Sequence, residues 1–296
     1  MADSTRSAHK SAANATDIIS SRLKNLRESN NEVQKISDSA QENFIFLDDI
    51  QTNSKRCDLF TLEFPIFALS KKTNLEPVLS ERLIVSPNPM YGQPNMYDKE
   101  TLIYVCSKLI QAQNNGVLLG NKVRFTGYDF LKFTGKKFNG NNYAKLKESL
   151  NRISSTHISF VKNGKITRTQ GYTLFWFDMK EDGSKSTIEL TLHESLITAL
   201  RENKALKLDS HYLELAPLER RLYEVVLKHC GKQAHWSIGL ESLQDKIGST
   251  QTLRHFKADL MKIIKEDSLN SYHVGFDKLR GIVSFRPKQH HTNSSK

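Results

Sequence analysis

Two clusters of amide and basic side chains recur in this chain at the same kind of place. Lys136 and Lys137 follow Gly135 and precede a run that carries Asn141, Asn142, Lys145 and Arg152. Much later, Ser249, Thr250 and Gln251 follow Gly248 and precede a run that carries Arg254 and Lys257. Asn, Gln and Arg side chains read the edges of bases, and Lys, Arg, Ser and Thr hold phosphate oxygens. A helix N-terminus adds backbone N–H groups and partial positive charge, which also suit phosphate. A single cluster of this kind on a helix is ordinary solvated charge. The repetition, each time behind a turn glycine, makes a pair of DNA-reading helices the stronger interpretation, with double-stranded DNA as the partner.

The flanking sequence supplies what such helices need. In Thr126–Phe160, the pattern predicts a short helix over Tyr128–Phe133, a turn at Gly135 and a long helix over Asn141–Ile153. Tyr143, Leu146, Leu150 and Ile153 then form an apolar stripe at helical spacing and are expected to face a core. Ile158–Lys162, the Asn163-Gly164 turn and the residues from Thr167 read as a hairpin. Ile238–Phe276 repeats the design. Leu240–Ile247 is the short helix, Gly248 the turn and Thr250–Lys265 the long helix, with Leu253, Phe256, Leu260, Ile263 and Ile264 as its stripe. Tyr272–Phe276 and Ile282–Phe285 are the hairpin. Helix, turn, helix and hairpin in this order describe a winged helix-turn-helix. The fold class expected is therefore α+β, with two tandem winged-helix domains behind a flexible N-terminal segment.

The expected boundaries are 1–58 for a mobile N-terminal segment, 59–203 and 204–288 for the two domains, and 289–296 for a disordered tail. Residues 1–40 are polar and rich in Ser, Asn and Ala. Phe64, Phe67 and Leu69 suggest a packed strand. Asp98 is placed as the cap of a helix that Gly116 ends. Glu202–Leu215 reads as a polar connector, and Pro217 sits in the first turn of the next helix.

The 296 residues carry a formal net charge of +11. Residues 1–54 hold 6 Lys/Arg against 8 Asp/Glu and the remainder 37 against 24, so the basic excess lies in the part expected to fold. That balance favours polyanions, nucleic acid first. A membrane role is not expected, because the apolar stretch Leu102–Ile110 is interrupted by Ser107 and Lys108. Three widely spaced cysteines, Cys57, Cys106 and Cys230, without a CxxC pair, argue against a disulfide framework or zinc site and for a reducing, cytoplasmic setting. No cofactor, metal or catalytic residue is expected. The chain lacks GxxxxGK[ST], a His-x-His pair with a nucleophilic Tyr, and an acidic cluster fit for two Mg²⁺ ions, so it is read as a binding protein and not an enzyme.

Ser86–Ile103 (SPNPMYGQPNMYDKETLI), Tyr143–Thr156 (YAKLKESLNRISST), Glu219–Gln233 (ERRLYEVVLKHCGKQ) and Ile247–Ile264 (IGSTQTLRHFKADLMKII) together resemble the replication initiator protein A family of plasmid Rep proteins. The resemblance spans about residues 60–287 and keeps the order of blocks. It implies tandem winged-helix domains that bind repeated sites at a plasmid origin, promote its opening and recruit host replication proteins, such as a sliding clamp, helicase or initiator. It also implies a monomer–dimer equilibrium, the dimer repressing its own gene. The island QENFIF is similar to the family's clamp-binding peptide, with Gln41, Phe44 and Ile45 as anchors. Glu42 and Ile45 depart from the usual Gln-Leu-(Ser/Asp)-Leu-Phe, and an apolar strand edge packed on the first domain is the other reading. A candidate dimer surface is the run Leu174–Phe177, whose lack of alternation requires cover on both faces. The alternative function is a winged-helix transcriptional regulator without a replication role.

Overall fold

The computed structural model describes residues 44–70, 74–79, 82–163, 165–167, 175–182 and 185–288. The described chain enters through strand β1 (Ile45–Phe46), a 3-10 turn at Leu47–Asp49, and strand β2 (Arg56–Asp58). Asp58 then caps the short helix α1 (Leu59–Glu63), accepting from the Thr61 backbone N–H at 2.8 Å and from its hydroxyl at 2.6 Å. Strands β3 (Val78–Leu79) and β4 (Leu83–Ser86) lead to helix α2 (Lys99–Asn114). Next come β5 (Lys122–Thr126), α3 (Gly127–Thr134), α4 (Gly140–Ser154), β6 (His157–Lys162) and β7 (Lys165–Ile166). A longer hairpin, β8 (Phe175–Asp182) and β9 (Lys185–Leu192), precedes α5 (Glu194–Arg201) and β10 (Ala205–Lys207). The last part is α6 (Pro217–His229), β11 (Trp236–Gly239), α7 (Leu240–Ile247), α8 (Leu253–Glu266), β12 (Tyr272–Asp277) and β13 (Ile282–Pro287).

The fold class is α+β. One four-stranded sheet has the order β1-β5-β9-β8, another β3-β4-β6-β7; the last three strands form β11-β13-β12. Two apolar cores result. The first gathers Leu102, Val105 and Leu109 of α2, Leu146, Leu150 and Ile153 of α4, and Ile188 and Leu190 of β9. The second gathers Leu222 and Val226 of α6, Phe256 and Leu260 of α8, and Val283 and Phe285 of β13. It also takes Cys57, Leu62 and Ile103 from the first part of the chain. The described residues from Ile45 onward accordingly form one compact unit.

Helix α2 is buried nearly all round, including Lys99, Glu100 and Lys108. Charge at that depth needs partners. Lys99 Nζ lies 2.8 Å from Glu224 of α6 and donates to the Thr61 carbonyl at 2.8 Å. Glu224 also accepts from the Tyr212 hydroxyl at 2.5 Å and pairs with Arg221 at 3.2 Å. Arg220 reaches Glu100 at 2.9 Å, and Arg221 donates to the carbonyls of Leu62, Glu63 and Lys246. This ionic lattice ties α2 to α6, and so the earlier helices to the later ones.

Several expectations change here. Residues 44–58 were expected to be mobile, but Ile45 pairs in parallel with Val123, Leu47 is fully buried, and β2 pairs antiparallel with β10. Asp48 explains part of this: its carboxylate accepts from the backbone N–H and hydroxyl of Thr126 at 2.9 and 2.6 Å. Glu202–Leu215 is not a free connector, since β10 lies within it and Leu208 and Tyr212 are buried. Phe64, Phe67 and Leu69 lie in irregular chain after α1, not in a strand. Asp98 does not cap α2 with its side chain; it receives the Arg152 guanidinium instead. Gln41 and Leu174 fall outside the described residues, and β8 is the edge strand of its sheet.

Candidate nucleic-acid interface

The two clusters sit on the same local construction. Helix α3 ends at Gly135 (φ 68°) and helix α7 at Gly248 (φ 76°), both left-handed, a conformation that side chains with a Cβ resist. In each case the N-cap of the next helix lies four residues beyond the glycine. Asn139 accepts from the Asn142 backbone N–H at 2.9 Å, and Thr252 from that of His255 at 3.4 Å. Each second helix then lays its apolar stripe on a core and runs into an antiparallel hairpin, β6–β7 or β12–β13.

On α8, Phe256, Leu260 and Ile263 are buried, which leaves Arg254, His255, Lys257, Ala258, Lys262 and Lys265 exposed. Lys257 is braced against the hairpin, its ammonium 5.0 Å from the centre of the Phe276 ring. The sequence pattern started this helix at Thr250. It begins instead at Leu253, because Thr252 supplies the cap. Ser249, Thr250 and Gln251 therefore form the turn before it. Gln251 donates to Asp259 at 2.9 Å and its carbonyl accepts from Gln244 at 2.6 Å, which holds that turn in shape.

On α4, Asn141, Tyr143, Ala144, Lys145, Lys147 and Glu148 are exposed. Lys137 is exposed in the turn, and Asn142 is tied back to it, donating to the Lys137 carbonyl at 2.8 Å. Two residues expected on phosphate are held by buried carboxylates instead. Arg152 makes a bidentate pair with buried Asp98, both bonds 2.8 Å, and this partner raises its pKa. Lys136 is paired with Glu100, which is itself held by Arg220. Their charge stabilises the junction of α2 with α4 and α6. Sequence periodicity placed Arg152 off the apolar stripe correctly, but it could not show that the N-terminus of α2 covers that flank. Ser149 is buried there as well, beside Thr101. Of the proposed clamp anchors, Phe44 and Ile45 are half-buried, and Ile45 is held in the sheet, so that peptide is not free to enter another protein's pocket in this conformation.

Several residues that suit polyanion binding carry no motif. Both hairpin tips are basic. Lys162 and Lys165 flank Asn163 in the first, and Lys278 and Arg280 stand exposed beside Gly281 (φ 67°) in the second. Lys132 and Lys147 are exposed near α4, and Tyr128, Phe138 and Tyr143 keep 54%, 54% and 39% of their surface in solvent. The only sequence signal for these was their place beside a glycine turn or in a hairpin. By contrast, Cys57 is sealed in the core, and burial pushes its thiol up to about 12. No cluster of His, Cys, Asp and Glu fit for a metal ion occurs among the described residues. Nor is any described helix long and apolar enough to cross a membrane.

A family model for Replication initiator protein A matches residues 56–274, which contain both helix pairs and both α2 and α6. The chain belongs to the replication initiator protein A family. A relative from Wigglesworthia glossinidia brevipalpis, described as "Putative replication protein", is 30% identical over 253 residues, covering 82% of this chain and 92% of its own length. Among solved structures, domains 2 and 3 of RctB superpose with a TM-score of 0.58 at 16% identity, over 79% of this chain and 97% of that one. At that identity the likeness is one of fold. The matched span begins at Arg56 and so includes β2 of this chain. The buried ionic lattice therefore lies wholly inside the part that the family model covers.

Proposed function

We propose that this chain is a sequence-specific DNA-binding replication initiator, and that each half is a winged helix-turn-helix. The observation that carries this reading is the repeated unit of helix, glycine turn, exposed basic or amide-bearing helix and basic-tipped hairpin, within a family of replication initiators. Helices α4 and α8 enter successive major grooves. Arg254 and Asn141 stand where base edges are read, while Lys137, Lys145, Lys257 and the hairpin tips hold phosphates. Family membership favours repeated sites at a plasmid origin as the target. Binding several such sites bends the DNA, and adjacent A·T-rich DNA is the cheapest to unpair. The free energy for opening comes from the difference in binding between closed and opened DNA. Recruitment of host replication proteins and a monomer–dimer equilibrium belong to the same proposal.

The test is selection of bound duplexes from a random library, followed by footprinting and probing of unpaired thymines on a plasmid bearing the selected repeats. Protection over repeats with reactive thymines beside them is the expected result. Protection without opening would select the transcriptional regulator, and failure to enrich any duplex would remove the DNA-reading assignment.

A further inference from the structure

Three exposed aromatic rings lie on the first turn of α3, the turn behind it and the first turn of α4. Tyr128 and Phe138 stack on each other, centroids 4.7 Å apart and planes 22° apart, yet each keeps 54% of its surface in solvent. A self-stacked pair this exposed still offers ring surface to a third partner. The Tyr143 ring packs against Gly127, the residue before Tyr128: a Cβ at that glycine would sit 2.8 Å from it. Leaving large apolar rings in water has a cost that the fold avoids almost everywhere else in these helices. The surrounding exposed charge is mainly basic, and the exposed acid on α4, Glu148, lies 3.7 Å from Arg152. Lys132 stands one turn along α3 from Tyr128, Lys137 adjoins Phe138, and Lys147 stands one turn along α4 from Tyr143. The nearest acids on α3 and α2 are already engaged, Asp129 with Lys108 and Glu100 with Lys136 and Arg220.

The second half has nothing comparable. Superposing Gly135 on Gly248 along the chain puts Glu241 at the place of Tyr128, Gln251 at that of Phe138 and Leu240 at that of Gly127. The ring equivalent to Tyr143 is Phe256, which is fully buried. Rings with open faces set among lysines match the needs of unpaired nucleotides, whose bases stack on aromatics while phosphates pair with cations. In a duplex the base faces are already stacked and offer nothing to such rings.

We infer that Tyr128 and Phe138, with Tyr143 beside them, form a stacking platform for single-stranded DNA. The inference rests on the reading of this chain as an origin-binding initiator and extends it: the first half holds a separated strand as well as a duplex. Free energy gained on that strand favours the opened origin over the closed one.

The test uses the full chain and two labelled probes read by fluorescence anisotropy, an oligothymidylate of about 15 nucleotides and the dA·dT duplex of the same length. Oligothymidylate forms no duplex, so its binding is independent of duplex reading. The double variant Tyr128→Ala/Phe138→Ala is expected to bind oligothymidylate roughly tenfold or more weakly, with duplex binding changed by less than about twofold. Tyr128→Phe/Phe138→Trp is expected to keep single-strand binding, with the introduced indole quenched as oligothymidylate is added. Equal losses on both probes would place the rings in the duplex interface and overturn the proposal. No loss on either probe would overturn it as well. If the double alanine variant fails to fold, the indole decides, since an unquenched indole at saturating oligothymidylate rejects the contact. A chain that enriches no duplex in selection yet binds oligothymidylate through these rings would sink the function proposed above and leave this inference standing.

Discussion

The two helix pairs share their local geometry and differ in what stands behind them. Both have an eight-residue first helix, a left-handed glycine and an N-cap four residues later. Gly135 opens on space, whereas Gly248 lies against the first half, where a Cβ would sit 2.4 Å from Pro65. In the first half, strand β5 pairs with β9 and β1, and the hairpin strand β6 pairs with β4; in the second, β11 pairs directly with hairpin strand β13. The surfaces differ accordingly. Asn141 and Ala144 stand where the second half has Arg254 and Lys257, and two basic residues of the first unit, Lys136 and Arg152, are paired with buried Glu100 and Asp98. One local motif thus becomes two different surfaces, because long-range packing decides which charges reach solvent.

The comparison fails most completely if the halves are separable, and the ionic lattice is what makes them one body. Removing one partner leaves a buried charge alone, which costs about 3–5 kcal/mol. Glu224→Ala strands Lys99 and Arg221 and is expected to lower stability by that amount in urea unfolding, within a single transition for the whole chain. Two separated transitions in the wild type would show that the halves are independent domains, with the lattice a minor contact.

Next in size is the asymmetry of the readers. Arg254→Ala is expected to weaken binding to a selected duplex by about 1–3 kcal/mol and relax specificity at one position. Asn141→Ala, at the equivalent place, acts on a different base pair, so the double variant is expected to lose the sum of the two effects within about 0.5 kcal/mol. Strong non-additivity in quantitative shift assays would mean that the two helices do not occupy separate grooves.

The helix pairs themselves were legible in the sequence, because glycines, caps and apolar stripes are local signals. Leu146, Leu150, Ile153, Phe256, Leu260 and Ile263 are buried as their spacing predicts, whereas Tyr143, expected on the same stripe, stays 39% exposed because it lies at the first turn of α4, beyond the reach of the core. The polar residues were not legible. Lys99, Glu100, Arg220, Arg221 and Glu224 look in sequence like solvated faces of amphipathic helices, and only partners far along the chain reveal them as interior. The same blindness made 44–58 and 202–215 look like a mobile leader and a connector. Their few apolar residues, Leu47, Cys57, Leu208 and Tyr212, fill gaps between larger elements and have no periodicity of their own. Tyr128, in the first turn of α3, and Phe138, in the turn behind that helix, show the converse, aromatic residues that the fold leaves outside.

A smaller effect separates lysines that face solvent from those turned inward. Each phosphate contact changes the log–log salt slope of duplex binding by roughly 0.9. Lys137→Ala and Lys145→Ala are each expected to flatten the slope by about that amount. Arg152→Gln is expected to leave the slope alone and lower stability instead, since it unpairs Asp98. A flattened slope in Arg152→Gln would show that the Asp98 pair opens on DNA and that the two halves use their basic residues alike.

The smallest difference expected lies in response to acid, and it belongs to the second half. His229, at the end of α6, stacks on Trp236 with centroids 5.1 Å apart. Burial first, then the charges of Lys246, Lys228 and Arg221, lower its pKa from 6.5 to about 4. A base with a depressed folded pKa is neutral when folded and takes a proton more readily when unfolded. Its contribution is therefore complete above pH 6.5, declines as the pH falls, and is exhausted near pH 4. With the ring only half-buried, solvent screening reduces the effect to about 1 kcal/mol. His229→Gln, which cannot titrate, is expected to flatten the fall in urea midpoint between those two pH values relative to wild type. A variant whose midpoint falls as steeply as the wild type's would assign the acid sensitivity to the carboxylates of the lattice that joins the halves, and so to both of them equally.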